Sequence, residues 1–120
     1  MSYGDFKKQK PDFNLRKNEA TTIMEKYPDR VPVVIEKAPT SSHQLLDKSK
    51  YLIPRDLIAT HLIYIIRKRL TLPDQSALYL FVNGSHLITG AHTMNYVYNH
   101  YMDKDGFLYI TYTDEATFGC

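Results

Sequence analysis

The chain has 120 residues, 43% of them hydrophobic, and a formal net charge of +2. That suits one domain with a core of ordinary size, and so small a charge provides no bulk electrostatic drive toward nucleic acid or an anionic membrane. The single cysteine, Cys120, is the last residue, which leaves no intramolecular disulfide and no cysteine-rich metal site; a cytosolic chain is the simplest reading. The opening stretch Met1-Ser-Tyr-Gly-Asp-Phe-Lys-Lys holds no apolar segment of the signal-peptide kind. The longest apolar run, Leu62 to Ile66, is far too short to span a bilayer.

In chain order, Asp5 to Lys10 is polar and basic, a short first helix that Pro11 interrupts. From Asp12 a second helix is expected. Phe13, Ala20, Ile23, Met24 and Tyr27 follow helical spacing, Arg16, Lys17, Glu19 and Lys26 fall on other faces, and Pro28 ends the pattern. Arg30 to Glu36 reads as a strand, with Pro32 at its start or facing an edge. Ala38 to Ser49 is a connection, and Lys50 to Pro54 a second short strand, so the two strands form a hairpin. Ile58 to Leu70 is the clearest helix. Ile58, Leu62, Ile65 and Ile66 share a face, and Arg67-Lys68-Arg69 complements the dipole of the last turn. A solvated helix end explains that basic run better than nucleic acid does.

Ala77 to Val82 is nearly continuous and apolar, hence a buried strand. Asn83-Gly84 marks a turn. Met94, Val97, Tyr98 and Tyr101 are spaced as in a short helix. The final strand is Phe107-Leu-Tyr-Ile-Thr-Tyr112, with Leu108, Ile110 and Tyr112 on one face and Phe107, Tyr109 and Thr111 on the other. Large groups on both faces place it mid-sheet. The pattern stops at Thr113, and Thr113 to Thr117 reads as a solvated arm leading to Phe118, Gly119 and Cys120. Two helices followed by ββαβαβ give an α+β chain with a ubiquitin-like β-grasp: a four-stranded mixed sheet carrying two extra N-terminal helices. The boundaries are 1–27 for the helical extension, 28–113 for the core and 114–120 for the tail with a processing site.

Several segments, in one order, carry a resemblance. Tyr27-Pro-Asp-Arg-Val-Pro-Val-Val-Ile-Glu-Lys-Ala-Pro39, Asp47-Lys-Ser-Lys-Tyr-Leu-Ile-Pro54, Ile66-Arg-Lys-Arg69, Phe107-Leu-Tyr-Ile110 and Thr113-Asp-Glu115 resemble the autophagy ubiquitin-like modifiers, the GABA-receptor-associated protein and light-chain-three group. The resemblance runs from about Phe13 to the end. It implies that a cysteine protease removes Cys120, that activating and conjugating enzymes carry Gly119 as thioesters, and that the final acceptor is the amine of phosphatidylethanolamine. A glycine carboxylate suits that route, because it enters narrow channels without a Cβ. The chain would be cytoplasmic when unconjugated, and on autophagosomal and vacuolar or lysosomal membranes when lipidated.

The same resemblance implies docking of autophagy receptors through aromatic-x-x-aliphatic peptides, paired as an added strand on the edge at Lys50 to Ile53. It assigns Glu19, Ile23, Pro32, Val34, Lys50, Leu52 and Phe107 to an aromatic pocket. It assigns Tyr51, Ile53, Pro54, Leu57, Leu62 and Ile65 to an aliphatic one. Lys50, Arg30 and Arg69 would meet acidic flanking residues, and Arg30 would sit near Asp56. The sequence departs from the family pattern at Ser49 for lysine, at Leu62 for phenylalanine, at Ile58 for a capping threonine, and in Gly84 to His92, which is one residue longer and lacks paired prolines.

The five histidines, His43, His61, His86, His92 and His100, show no metal-ligand spacing. No Ser-His-Asp or Cys-His set presents itself, so neither an enzyme, a cofactor nor a metal is expected; the soluble form reads as a monomer. Two rival readings are a peptide-binding trafficking adaptor that is never conjugated and a C-terminally prenylated membrane protein. Prenylation needs three residues after the cysteine, and none follow Cys120.

Overall fold

In the computed structural model, which describes residues 1–115, the elements follow the order α1 (Asp5–Gln9), α2 (Phe13–Lys26), β1 (Arg30–Lys37), β2 (Lys50–Pro54), α3 (Ala59–Arg69), β3 (Tyr79–Val82), β4 (His86–Leu87), α4 (Met94–Tyr101) and β5 (Leu108–Thr113). The strands form one mixed sheet in the order β2-β1-β5-β3-β4. β1 and β5 are parallel neighbours from Val33↔Leu108 onward, and the other pairs are antiparallel. A parallel central pair needs a long crossover, which the segment from β2 to α4 supplies.

The alternation read in the last strand divides the interior. Leu108, Ile110 and Tyr112 join the main core with Val31, Val33, Ile35, Leu62, Ile66, Met94 and Val97. Phe107 lies on the other face, in a smaller cluster with Phe6, Ala20 and Val34, against which Ile23 and Tyr109 pack. Helices α3 and α4 therefore cover one face of the sheet and the N-terminal helices the other. The Tyr112 hydroxyl is satisfied deep in the core: it accepts from Leu46 N–H at 3.0 Å and donates to Gln44 O at 2.8 Å, tying down the β1–β2 connection.

Some expectations change. The sheet gains a fifth strand, the two-residue β4, inside the stretch read as a turn and loop; Ile88 N–H adds a bond to Leu80 O at 2.8 Å. Thr113 is not in a solvated arm: it is fully buried in β5, opposite Tyr79. Asp114 is held too, its carboxylate accepting from the backbone and hydroxyl of Ser42. In α2 the polar face is not uniformly solvated, because Arg16 is buried while Phe13 is 39% exposed. Asp12 caps α2, accepting from Asn14 N–H and Leu15 N–H. The cap missing at Ile58 is replaced from another loop: Ala59 N–H donates to His92 O at 2.9 Å.

Candidate functional site

β2 is an edge strand with two cavities beside it. Ile35 N–H donates to Ser49 O at 2.8 Å. Antiparallel alternation then turns the N–H and C=O of Tyr51 and Ile53 toward β1, and those of Lys50 and Leu52 outward. Pro32 stands opposite Leu52 in a pair that exchanges no hydrogen bonds, one residue before pairing with β5 begins, so its missing donor interrupts neither ladder. Side chains alternate too. Lys50 and Leu52 point to the α2 side, Tyr51 and Ile53 to the α3 side.

On the α2 side a cavity of about 400 Å³ is lined by Ile23, Lys48, Lys50, Tyr51, Leu52 and Phe107. Of the seven residues assigned to the aromatic pocket, Ile23, Lys50, Leu52 and Phe107 line it directly. Glu19 reaches it by an ion pair with Lys50 and a second one with Lys10. Burial alone would raise the Glu19 carboxyl; the two ammonium groups outweigh it and hold that carboxyl below the usual range. Val34 and Pro32 are buried in β1 and do not line the cavity; Val34 packs with Phe107 instead. Lys48 was not foreseen. Its ammonium lies 4.9 Å from the Tyr51 ring centroid, and its carbonyl accepts from the Tyr51 hydroxyl at 2.8 Å. The sequence signal was the basic spacing of Lys48 and Lys50 beside an aromatic residue.

On the α3 side a smaller cavity, about 140 Å³, is lined by all six residues assigned to the aliphatic pocket: Tyr51, Ile53, Pro54, Leu57, Leu62 and Ile65. Leu52 and Arg69 join them. Tyr51 and Leu52 thus border both cavities. Arg69 pairs with Asp47 at 3.2 Å and stands 5.5 Å from the Tyr51 ring. Burial raises the Tyr51 phenol, against the opposing charge of Arg69. Arg30 does not pair with Asp56 among the described residues; it donates to Leu52 O at 3.2 Å, on the outward side of the edge. Arg55, next in sequence to Asp56, donates to Pro28 O at 2.9 Å and to Asn95 Oδ1 at 2.8 Å.

This arrangement has a readable geometry. Residues i and i+3 of a strand point to opposite faces, because the side-chain period is two. A peptide strand added at β2 would therefore place side chains three apart on the two sides of the sheet, where the two cavities lie. Gly119 and Cys120, assigned to cleavage and lipidation, lie outside the described residues.

The family model described as "Autophagy protein Atg8 ubiquitin like" matches residues 15–119. The chain belongs to the Atg8 family. Among its relatives, autophagy-related protein 8e of Arabidopsis thaliana is 48% identical over 119 residues, covering 99% of this chain and 97% of that protein. Autophagy-related protein 8 of Vanderwaltozyma polyspora is 47% identical over 114 residues, covering 95% of each. The crystal structure of Trypanosoma brucei ATG8 has a TM-score of 0.80 with this fold at 38% identity, over 90% of this chain and 92% of that one. The Atg8 fold, a ubiquitin-like core with two helices ahead of it, is the fold described above. Among the described residues of this Atg8-family chain, no helix is long and apolar enough to cross a membrane.

Proposed function

We propose that the chain is a ubiquitin-like modifier of autophagy, joined through Gly119 to phosphatidylethanolamine and recruiting receptors that carry aromatic-x-x-aliphatic peptides. The observation that carries the recruiting role is the outward-facing backbone of Lys50 and Leu52, set between an apolar cavity on each face of the sheet. Main-chain pairing supplies affinity in such a complex and the alternating pockets supply selectivity. The larger cavity takes the aromatic side chain and the smaller one the aliphatic. Family membership supports the modifier role. A processing protease would remove Cys120, activating and conjugating enzymes would carry Gly119, and the lipidated form would move from cytoplasm to autophagosomal and lysosomal or vacuolar membranes. The chain supplies the carboxylate; the transfer chemistry belongs to thiolates of those enzymes.

Two measurements test the two halves. Tyr51→Ala with Leu52→Ala removes apolar contact from both cavities. Titrated with a labelled aromatic-x-x-aliphatic peptide, the doubly substituted protein should bind at least about thirtyfold more weakly, from a loss on the order of 2–4 kcal/mol. Unchanged affinity with an unchanged circular dichroism spectrum removes the groove. For the tail, wild type, Gly119→Ala and forms ending at Gly119 or at Phe118 are incubated with the protease, the transfer enzymes, ATP and liposomes. Wild type and the form ending at Gly119 should float with the liposomes. Flotation of the form ending at Phe118, or of Gly119→Ala, as strong as that of wild type removes the modifier reading; failure of every form to float, with peptide binding intact, favours an adaptor that is never conjugated, and an isoprenoid on Cys120 by intact mass favours the prenylated rival.

A further inference from the structure

A third cavity, about 450 Å³, lies on the α1 side of the sheet, away from the β2 edge. Its sheet residues are Glu36 on β1 and Tyr109 and Thr111 on β5, and Glu36 and Thr111 stand side by side in the parallel register. Both are buried, at 3% and 2% exposure. The two Glu36 oxygens accept one backbone N–H each, from Gly4 at 3.2 Å and Phe6 at 2.8 Å. Among the described residues no cation lies within ion-pair distance of this carboxylate. The N-terminal ammonium acts on it only from beyond that distance and is opposed by Asp5, so most of the cost of burying this charge falls on the two N–H donors. Beside it, Thr111 Oγ1 is buried with no hydrogen-bond partner among the described residues, which is rare for a buried hydroxyl.

The cavity wall already favours a positive group. Lys7 holds its ammonium 4.6 Å from the Tyr109 ring centroid and 3.1 Å from Asp103. Asp103 neutralises Lys7, so the mouth does not repel a second cation. Gly4, at φ +84°, leaves open space where a side chain would project.

We propose that this cavity binds an alkylammonium group, with Glu36 as counter-ion and Thr111 as a further acceptor. An ammonium has three N–H donors and no acceptor, which matches a floor of unfilled acceptor positions. An anion would meet the Glu36 carboxylate, and a purely apolar ligand would leave both polar groups unsatisfied. The shared chemistry has two sources, a free alkylamine and a lysine side chain of another protein.

Isotope-labelled full-length protein is titrated into the millimolar range with cadaverine, with a blocked Gly-Gly-Lys-Gly-Gly peptide, and with the same peptide carrying norleucine for lysine. The ammonium probes should shift the amide signals of Gly4, Phe6, Gly84 and Thr111 and leave Lys50 to Ile53 unmoved. Tighter binding of cadaverine identifies a small amine as the source; tighter binding of the peptide identifies a protein lysine. Glu36→Gln should weaken either probe by about tenfold or more, the effect of losing a charged hydrogen-bond partner. Glu36→Gln also touches α1, so Thr111→Val, which preserves shape, is tested beside it and should weaken binding less. The site is overturned if norleucine shifts the same amides as strongly as lysine, if neither ammonium probe shifts them, or if both variants bind as wild type does.

Discussion

Arg16 and Asp105 are the residues whose chemistry is most constrained. The Arg16 Nε donates to Asp105 Oδ2 at 2.9 Å, with both side chains almost fully buried, and its Nη1 donates to Lys10 O at 2.7 Å. Asp105 also accepts from Phe107 N–H at 2.9 Å and from the Tyr109 hydroxyl at 2.5 Å. Burial and that bond to a carboxylate push the Tyr109 phenol far up, so it stays a donor. The pair ties α2 to the start of β5, over the Gly106 turn. Gly106 has φ +91° and leaves 3.0 Å between the place of a Cβ and Ala20 Cβ, so the two elements meet closely there. Asp105→Asn keeps the shape but strands a buried guanidinium. Urea denaturation should show a loss of about 3–5 kcal/mol, with Arg16→Met added to it costing less than the two single changes summed. Equal stability of Asp105→Asn and wild type would show that the pair holds nothing.

At the level of elements, β2 matters because its two backbone edges do different jobs. The inner edge, at Tyr51 and Ile53, bonds β1; the outer edge, at Lys50 and Leu52, is where the proposed peptide strand pairs. Proline removes a backbone donor and is tolerated on the solvent side of an edge strand. Leu52→Pro should therefore fold with a loss of about 1 kcal/mol or less beyond Leu52→Ala, yet bind peptide far more weakly than Leu52→Ala does. Tyr51→Pro removes an inner donor and should destabilise by about 1–3 kcal/mol relative to Tyr51→Ala, the cost of leaving its buried acceptor on β1 unsatisfied. Thermal melts and peptide titration of the four variants check this. If Leu52→Pro and Leu52→Ala bind alike, the outer edge does not pair with the peptide.

Across the whole molecule, the N-terminal helices are held to the core by charges of opposite pH behaviour. Desolvation outweighs the Gly4 and Phe6 bonds and raises the Glu36 carboxyl above its usual range. Glu19, beside Lys10 and Lys50, and Asp103, which accepts from Asp105 N–H and lies beside Lys7, are lowered despite their own burial. A raised carboxyl binds its proton more tightly when folded, so its contribution to stability falls as pH rises from the ordinary glutamate range through the raised value. The lowered carboxyls act the other way, and what they contribute is lost as pH falls through their folded values. Glu36→Gln isolates the first effect, since the others are common to both proteins. Unfolding free energies measured at neutral pH and near the ordinary glutamate range should show wild type gaining on Glu36→Gln as the solution becomes more acidic. A difference that is the same at both pH values contradicts the raised carboxyl.

The β-grasp was legible because its signals are local. Period-two alternation in Phe107 to Tyr112, proline and glycine punctuation, and the apolar stripe of α3 each act over a few residues and need no partner. The six residues of the aliphatic cavity were legible for a different reason: several family motifs in order bring their pairing register with them. What depended on the tertiary structure were matters of who meets whom across long sequence separations. Arg16 looked solvated because helical spacing reports distance from an apolar stripe, and a carboxylate 89 positions later is invisible to it. Thr113 looked loose because a short polar side chain breaks alternation, although β3 supplies its ladder. Strand β4 was hidden because two exposed residues between Asn83-Gly84 and Gly90 carry no period at all, and only the edge of β3 makes them a strand. The outward face of Leu52 likewise follows from the register with β1, a relation between two strands that neither strand's residues contain.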